Sequence, residues 1–341
     1  MKAHAKHLAV VLTAVVFSGC SAINNMMYKT TGDVMKGFAQ SHTVPFVLET
    51  DDLAMGCAMS EATSPLLLSF GRVTSAPDKL AVMMYLSGGA CEEQRALEHE
   101  LRYMRAIKEL RPDEAEDAMI AQKRHLVLAA KRQYEAWLRL TAEYGEPGGE
   151  KCPTLDTEFD QFIWMAGLLS GLQALNNEIQ STTPVGIPKN IAAKVERGAI
   201  CLDDDLWWGM PMAIKATVWA MLPGAEPQGE NAWERLEAAD KKGEKKRVRL
   251  THVLHALAAY TKGDTERVKA VIRKHADAVK RRPSRPDYKM IDAMATYNLT
   301  SLSDRMWTQA TGHRTPVGGF GTFWDDVKES NVETVDLDDL L

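Results

Sequence analysis

Residues 114–143 read EAEDAMIAQKRHLVLAAKRQYEAWLRLTAE, and this stretch decides the fold class. Apolar side chains recur in it at spacings of three, four and seven residues, which is the period of one face of an α-helix. The positions on this face are Met119, Leu126, Ala130, Tyr134, Trp137, Leu138 and Thr141. The pattern predicts a long amphipathic helix with one buried face.

The rest of the chain has the same character, and strand signals are nearly absent from it. Period-2 alternation and β-branched runs are rare, while Ala, Leu, Met, Glu, Lys and Arg dominate long stretches. Prolines separate the apolar-periodic segments or stand in a first helical turn. The fold is therefore predicted to be all-α. Helices are expected near 23–40 and over about 47–73, 77–109, 113–143, 155–179, 188–201, 204–222, 231–242, 248–261, 265–281 and 287–309.

Glycine and proline residues inside these segments predict where helices break, kink or pack closely. Gly88 and Gly89 are expected to split their segment into a helical pair, and Pro211 is expected to kink or restart its helix. Gly167 and Gly171 stand one turn apart, and close helix packing explains them without any ligand.

One internal repeat is visible in the C-terminal half of the chain. Residues 229–239, GENAWERLEAA, lie 34 residues before the start of 263–272, GDTERVKAVI. A period of 34 residues is that of tetratricopeptide repeats, whose helix pairs bury their inner faces by stacking on the next pair. Residues 46–309 are thus interpreted as a tetratricopeptide-like helical repeat array, an α-solenoid with imperfect repeats.

The N-terminus has the features of a bacterial lipoprotein signal peptide. Lys2 and Lys6 precede an apolar run over 8–17 that is too short to span a bilayer. The run ends in FSGC at 17–20, which resembles a lipobox with Phe17 in place of the usual Leu. We predict that residues 1–19 are removed and that Cys20 is lipidated, which would hold the chain at a membrane. A plain or an uncleaved signal peptide is the alternative that Phe17 leaves open.

The residue after Cys20 indicates whether the inner or the outer membrane is expected to hold the protein. An Asp there favours inner-membrane retention in similar lipoproteins, whereas this chain has Ser21. A periplasm-facing position on the outer membrane is therefore predicted. Residues 20–45 are interpreted as a tether with a short helix, and no later segment has 18 consecutive apolar residues.

The predicted mature chain is acidic, which argues against a nucleic-acid partner. Removal of 19 of the 341 residues leaves 322, and loss of two lysines leaves 39 basic against 46 acidic residues, a net charge of −7. Two basic clusters without interleaved aromatic residues are interpreted as solvated surface. They comprise Lys241, Lys242, Lys245, Lys246, Arg247 and Arg249, and then Lys280, Arg281, Arg282 and Arg285.

Four cysteines remain after Cys20, namely Cys57, Cys91, Cys152 and Cys201. Because the periplasm is oxidising, one or two disulfides are predicted among them, and three complete pairings are possible. The wide spacing contains no CxxC, which argues against a zinc site or a redox dithiol.

The usual sequence signatures of catalysis are missing, and the chain is predicted to be no enzyme. HExxH, GxSxG, GxxxxGK[ST] and a GxGxxG after a strand are all absent. His252 and His255 have no acidic residue at ligand spacing, so they are interpreted as a surface or half-buried pair. The acidic run Asp203–Asp205 precedes a helical segment and is interpreted as a helix cap. Neither a metal nor a cofactor is predicted.

A cluster of aromatic and thioether side chains at 207–221 allows two interpretations. Core packing explains the cluster, and a hydrophobic ligand channel between helices would use the same residues. The ligand-channel candidates are Trp207, Trp208, Met212 and Trp219.

The last segment, 310–341, has a different composition. It contains TPVGGFG at 315–321 and then seven carboxylates against only Lys328. Since little core can form from such a composition, an acidic, flexible tail is predicted. A docking peptide that uses Phe320, Phe323 and Trp324 is the alternative.

With a lipobox, a helical body and a repeat of this length, the chain resembles the TatT lipoproteins, the T-components of tripartite ATP-independent periplasmic (TRAP) transporters. The matching segments are Glu196–Asp203, Trp207-Trp208-Gly209, Leu222-Pro223-Gly224, Ala232–Ala239, Leu250–Tyr260 and Asp264–Val279, with Leu66–Leu68, Ala118–Tyr144 and Met165–Leu168 upstream. The resemblance is a pattern of helices and turn residues, none of them catalytic. The four additional cysteines and the acidic tail depart from the family.

The resemblance implies a lipid-anchored helical-repeat protein that trimerises and docks the substrate-binding P-component of a TRAP transporter. It also implies that the protein helps to pass on a small, partly hydrophobic organic ligand. A scaffold for cell-envelope assembly, built from the same kind of repeat, is the first alternative. A hydrolase with an unrecognised site is the second.

Overall fold

The computed structural model describes residues 26–72 and 77–326, and every regular element in these two ranges is helical. Residues 26–38 form a helix that continues through a π-helical turn, Ala39–Thr43, into the short helix Val44–Leu48. The predicted all-α fold is confirmed. Ten further helices follow: α1 (Leu53–Ser69), α2 (Asp78–Lys108), α3 (Pro112–Tyr144), α4 (Glu158–Ser181), α5 (Ile191–Ala199), α6 (Met210–Met221), α7 (Ala232–Lys246), α8 (Thr251–Thr261), α9 (Thr265–Arg281) and α10 (Lys289–Thr311).

Side-chain caps explain where several helices begin. The Asn231 carboxamide oxygen accepts hydrogen bonds from the backbone N–H groups of Trp233 and Glu234 at the start of α7. The Asp264 carboxylate accepts one from the N–H of Arg267 at the start of α9. These caps satisfy amide groups that have no partner inside the helix. Both copies of the 34-residue repeat thus begin a helix at the expected place.

The expectation that Gly88 and Gly89 split their segment is wrong, because α2 runs unbroken through both glycines. A Cβ atom at Gly89 would lie 2.5 Å from Cγ of Gln133 on α3. The Arg132 guanidinium donates a hydrogen bond to the carbonyl of Gly88 at 2.7 Å. The glycines therefore allow α3 to approach α2 closely. They are needed for packing between the two helices and do not form a turn.

Two glycines of α4 serve the same purpose on the other side of α3. A Cβ atom at Gly167 would lie 2.6 Å from Leu140, and one at Gly171 would lie 2.6 Å from the ring of Trp137. Distances below about 3 Å cannot be accommodated without displacing the neighbour. Close packing of α4 on α3 explains both glycines.

Gly171→Ala is accordingly expected to lower the free energy of unfolding by up to about 2 kcal/mol. Overpacking of the contact with Trp137 costs about 1–3 kcal/mol, and Ala brings back roughly 1 kcal/mol over Gly inside a helix. Gly37→Ala is the matched control, since a Cβ there meets no atom within 4 Å. Urea unfolding of both variants measures the difference, and equal midpoints would contradict the packing argument.

Consecutive helices pack against each other from α1 to α10. Contacts also join helices two apart, namely α2 with α4, α6 with α8, and α8 with α10. The last helix returns to the second, where Arg305 of α10 donates to the Glu100 carboxylate of α2 at 2.9 Å. Helix α10 thus links the C-terminal helices to the N-terminal pair.

The largest core cluster lies where α3, α4 and α5 meet the loop before α6. It contains Trp137, Trp164, Trp207 and Trp208. A second cluster joins α8, α9 and α10, and a third joins α6, α7 and α8. The tryptophans therefore contribute mainly to the interior of the molecule.

The start of the predicted flexible tail is packed onto the helices. Phe323 is buried in the cluster formed by α8, α9 and α10. The Lys269 ammonium lies 2.6 Å from the Asp325 carboxylate, and the Arg273 guanidinium lies 2.6 Å from Asp326. Up to residue 326 the structure thus differs from the prediction, because a buried phenyl ring and basic groups on α9 hold the acidic chain. Residues 327–341 lie outside the described residues, as do residues 1–25.

Candidate functional site

Two disulfides join the four cysteines of the described chain. Cys57 of α1 is bonded to Cys91 of α2, and Cys152 of the loop after α3 is bonded to Cys201 after α5. The bonds close stretches with sequence separations of 34 and 49 residues. One of the three possible pairings is thereby selected, since these helices and loops are neighbours in the fold.

Two of the four ligand-channel candidates, Trp207 and Trp208, are packed in the core, where 2 % and 1 % of their surface remains exposed. Their ring centroids lie 5.5 Å apart in an edge-to-face arrangement, and the Tyr288 ring lies 4.6 Å from that of Trp208. The Trp207 indole N–H donates to the side-chain oxygen of Gln161 at 2.9 Å. Since both rings are enclosed by protein, the core interpretation of the cluster fits these two residues.

The other two candidates, Met212 and Trp219, are half-buried and pack against the cluster between α6, α7 and α8. The Trp219 indole N–H donates to the Glu196 carboxylate at 3.2 Å. None of the four candidates lines either of the two pockets described below. Met212 and Trp219 thus pack with a different cluster from Trp207 and Trp208.

One residue of the acidic run, Asp204, reaches the first turn of α6 as the predicted cap would, and the helix begins later than expected. The Asp203 carboxylate accepts hydrogen bonds from the N–H groups of Asp205 and Leu206. Asp204 accepts one from the N–H of Met212, in the first turn of α6. The helix starts only at Met210, because Trp208 and Gly209 both have positive φ angles.

His255 is buried, which corrects the expectation of a surface or half-buried pair with His252. Its Nδ1 atom lies 2.8 Å from a carboxylate oxygen of Asp240 on α7. Burial opposes ionisation of this carboxyl, yet the hydrogen bond from His255 holds the pKa of Asp240 below its usual value. Lys274 of α9 approaches the same oxygen at 3.3 Å. The sequence could not reveal this partner, because Asp240 stands 15 residues away on another helix.

His252 belongs to a chain of polar side chains that crosses three helix interfaces. Its Nε2 atom lies 3.5 Å from Glu244 of α7, and its Nδ1 atom lies 3.1 Å from Nδ1 of His275 on α9. Nε2 of His275 lies 2.9 Å from the Thr296 hydroxyl of α10. Burial is the main cause that lowers the pKa of His275 to about 3, and the neighbouring His252 and Arg249 act in the same direction. His275 is therefore neutral near pH 7.

The chemistry available to this histidine cluster is limited by these interactions. A base whose conjugate acid has a pKa of about 3 is too weak to activate a hydroxyl near neutral pH. The Thr296 hydroxyl also donates its proton to the carbonyl of Asp292 within α10. In the described parts of the chain, no group of three or more His, Cys, Asp or Glu residues is arranged to hold a metal ion. The cluster orders α7 to α10 relative to one another.

The low pKa of His275 predicts a pH dependence of stability. In the unfolded chain, histidine takes up a proton as the pH falls below about 6.5, whereas native His275 does so only near 3. Between these values the unfolded state binds more protons, so the free energy of unfolding falls with decreasing pH, by up to roughly 5 kcal/mol. Urea unfolding of the wild type and of His275→Asn at several pH values measures the slope. The same slope in both proteins would exclude His275 as its origin.

A hydroxyl-rich pocket of about 390 Å³ lies beside α10. Asp51 and Lys289 form an ion pair of 2.8 Å in its wall, and the buried Asp292 contributes to it. Arg249, which the sequence assigned to solvated surface, is buried behind this pocket and paired with Asp292. The lining residues are Asp51, Leu53, Ser284, Lys289, Asp292, Ala293, Thr296, Tyr297 and Thr300.

A second pocket, of about 460 Å³, lies where α8, α9 and α10 meet the packed start of the tail. Two of its aromatic rings, Tyr260 and Trp324, keep 40 % and 38 % of their surface exposed. The lining is completed by Gly263, Thr265, Val268, Met306, Gln309 and Ala310. A mostly apolar lining with a few polar groups, in a cavity of this size, is typical of a small-molecule site.

Trp324 is held firmly in the wall of this second pocket. Its ring meets that of Trp307 edge-to-face at 5.8 Å, and the Lys269 ammonium lies 5.3 Å from its centroid. The Trp307 indole N–H donates to the carbonyl of Thr322 at 3.1 Å. The exposed face of Trp324 thus belongs to a segment that packs against α9 and α10.

Comparisons with known proteins leave the family open. No protein-family model, no curated protein and no solved structure matches the chain. Among the described helices, none combines the length and the apolar character that crossing a membrane requires. The resemblance to the T-components of TRAP transporters therefore rests on the sequence segments quoted above.

Proposed function

We propose that this chain is a periplasm-facing, lipid-anchored binding protein that serves as the accessory T-component of a TRAP-type uptake system. The observation that carries the periplasm-facing part of the proposal is the pair of disulfides, Cys57–Cys91 and Cys152–Cys201. Structural disulfides persist in oxidising compartments, which agrees with the export signal ahead of Cys20.

The pattern of helix contacts supports a tetratricopeptide-like array as the binding scaffold. Consecutive helices pair, α2 with α4, α6 with α8 and α8 with α10 also touch, and both copies of the 34-residue repeat begin with a capped helix. Such arrays offer broad surfaces to partner proteins. We propose the substrate-binding P-component of the transporter as that partner, and a homotrimer as the functional oligomer.

Lipidation is tested by labelling cells with radioactive palmitate. The wild-type protein is expected to carry the label and to sediment with outer membranes, whereas Cys20→Ser is expected to lose the label. Ser21→Ala keeps the cysteine and is the matched control. An unlabelled wild-type protein would overturn the lipid-anchor part of the proposal.

Partner binding is tested by capturing periplasmic proteins on the purified protein. Enrichment of a solute-binding protein is the expected result, and repeated capture without one would overturn the transporter assignment. Enrichment of outer-membrane or peptidoglycan assembly proteins would favour the scaffold alternative instead. Light scattering on the same preparation measures whether the protein is a trimer.

The small-ligand part of the proposal is best supported by the pocket at Trp324, because its aromatic walls are exposed and fixed. We expect a neutral aromatic probe, N-phenyl-1-naphthylamine, to bind there with increased fluorescence. Trp324→Ala is expected to weaken its binding at least about fivefold through loss of one wall. Phe46→Ala, which alters an exposed aromatic residue outside the pocket, should bind like the wild type. Equal binding by both variants would remove this pocket from the proposal.

A further inference from the structure

The helix over residues 26–38 is amphipathic, and most of its residues are exposed. At 3.6 residues per turn, Met27, Tyr28, Val34, Met35 and Phe38 fall within an arc of about 120° that also contains Thr31. The charged residues of the helix, Lys29, Asp33 and Lys36, fall on the opposite side. Helices of globular proteins normally bury such an apolar arc against a neighbouring element.

No such burial occurs here. Met27, Val34 and Phe38 are 63 %, 66 % and 62 % exposed, and Tyr28 and Met35 are exposed as well. Further along the chain, Val44–Leu48 contacts α10 and Leu48 packs against the largest core cluster. The apolar arc is therefore a surface that the described chain leaves uncovered.

The position of this helix along the chain indicates what covers it. Only six residue steps separate Met26 from Cys20, and six steps span at most roughly 22 Å even when fully extended. If Cys20 carries acyl chains in a bilayer, the start of the helix cannot leave the neighbourhood of the lipid headgroups. An exposed apolar arc held so close to a membrane has the bilayer surface as its nearest apolar environment.

The side chains of the helix fit an interfacial position. Aromatic residues such as Tyr28 and Phe38 favour the boundary between headgroups and acyl chains. Lys29 belongs to the opposite, charged face, as in helices that lie flat in the interface and attract anionic lipids. Residues 26–38 cover about 20 Å, which suits a helix lying along a surface.

We propose that residues 26–38 form a membrane-surface helix that lies along the lipid bilayer with Met27, Val34 and Phe38 in the headgroup boundary. The helix adds a second attachment beside the acyl chains and sets the distance of the helical body from the membrane. The location of the helix beside the membrane rests on the proposed lipid anchor. The affinity of the helix for lipid is its own property and does not depend on that anchor.

The test uses the otherwise complete mature chain with Cys20→Ser, so that lipidation plays no part. An environment-sensitive fluorophore is attached to Phe38→Cys in one sample and to Asp33→Cys in a second. Vesicles of phosphatidylethanolamine and phosphatidylglycerol are then added. A blue shift at position 38 without one at position 33 is the expected result, because only the apolar arc enters the lipid.

Vesicle co-sedimentation gives a second measurement. The double variant Val34→Asp, Phe38→Asp is expected to reduce the vesicle-bound fraction at least roughly fivefold. Its melting temperature should stay that of the parent chain, since both side chains are exposed. No shift and no sedimentation of the parent chain would overturn the proposal, even if palmitate labelling succeeds. A shift at position 38 that follows protein concentration without vesicles would assign the arc to a second copy of the chain and also overturn it.

Discussion

Reduction of both disulfides is expected to lower the free energy of unfolding by about 8 kcal/mol. The bonds close stretches with sequence separations of 34 and 49 residues, and loop-closure entropy of the unfolded chain assigns about 4 kcal/mol to each. Since domains are typically stable by only about 5–15 kcal/mol, the reduced protein should be largely unfolded at 37 °C.

Urea unfolding with and without dithiothreitol measures the combined effect of the two bonds. Paired substitutions separate them: Cys57→Ala with Cys91→Ala removes the bond between α1 and α2, and Cys152→Ala with Cys201→Ala removes the other. Each pair is expected to lower the unfolding midpoint by a similar amount. A reductant that leaves the midpoint unchanged would show that the bonds do not contribute to stability.

Asp292→Asn is expected to destabilise the protein by about 3–5 kcal/mol, because it leaves the buried Arg249 cation without its counter-charge. The Asp292 carboxylate accepts hydrogen bonds from the backbone N–H of Arg249 at 2.7 Å, from the Arg249 guanidinium and from the Ser284 hydroxyl at 2.6 Å. The same guanidinium donates to the carbonyls of Ala278 and Arg282. One ion pair thus joins the start of α8, the end of α9 and α10.

The exposed pair Asp51–Lys289, at 2.8 Å, supplies the matched control. Lys289→Met should change the free energy of unfolding by less than about 1 kcal/mol, since exposed ion pairs are weak. The double variant Arg249→Met, Asp292→Leu should recover part of the stability that Asp292→Asn loses, because no charge is left buried. A similar loss in Asp292→Asn and Lys289→Met would contradict the proposed role of burial.

The helices could be predicted closely from the sequence. Proline residues, capping side chains and apolar periodicity act within a few residues, so α9 begins at Thr265 as predicted and α3 differs by one residue at each end. Helix α6 starts later than predicted, for a reason that the periodicity of apolar residues does not show. Trp208 adopts a positive φ, and a Cβ at Gly209 would lie 2.7 Å from the carbonyl oxygen of Ala239 on α7.

The candidate sites could be predicted only in part. The residue types at 207–221 suit both a core and a channel, and only the neighbouring helices decide between the two. The pocket at Trp324 was missed because its lining comes from three helices and from a segment whose composition suggested a flexible tail. A signal was present in Phe320, Phe323 and Trp324, the residues of the alternative docking peptide, although their pattern does not indicate a pocket.

The sequence by itself determined the helical class and most helix boundaries, because both depend on residues close together in the chain. Only the tertiary structure decided the cysteine pairing, the burial of His252, His255 and Arg249, and the packing of Phe323. These features depend on which helices become neighbours, and that choice follows from side-chain fit between segments far apart in sequence.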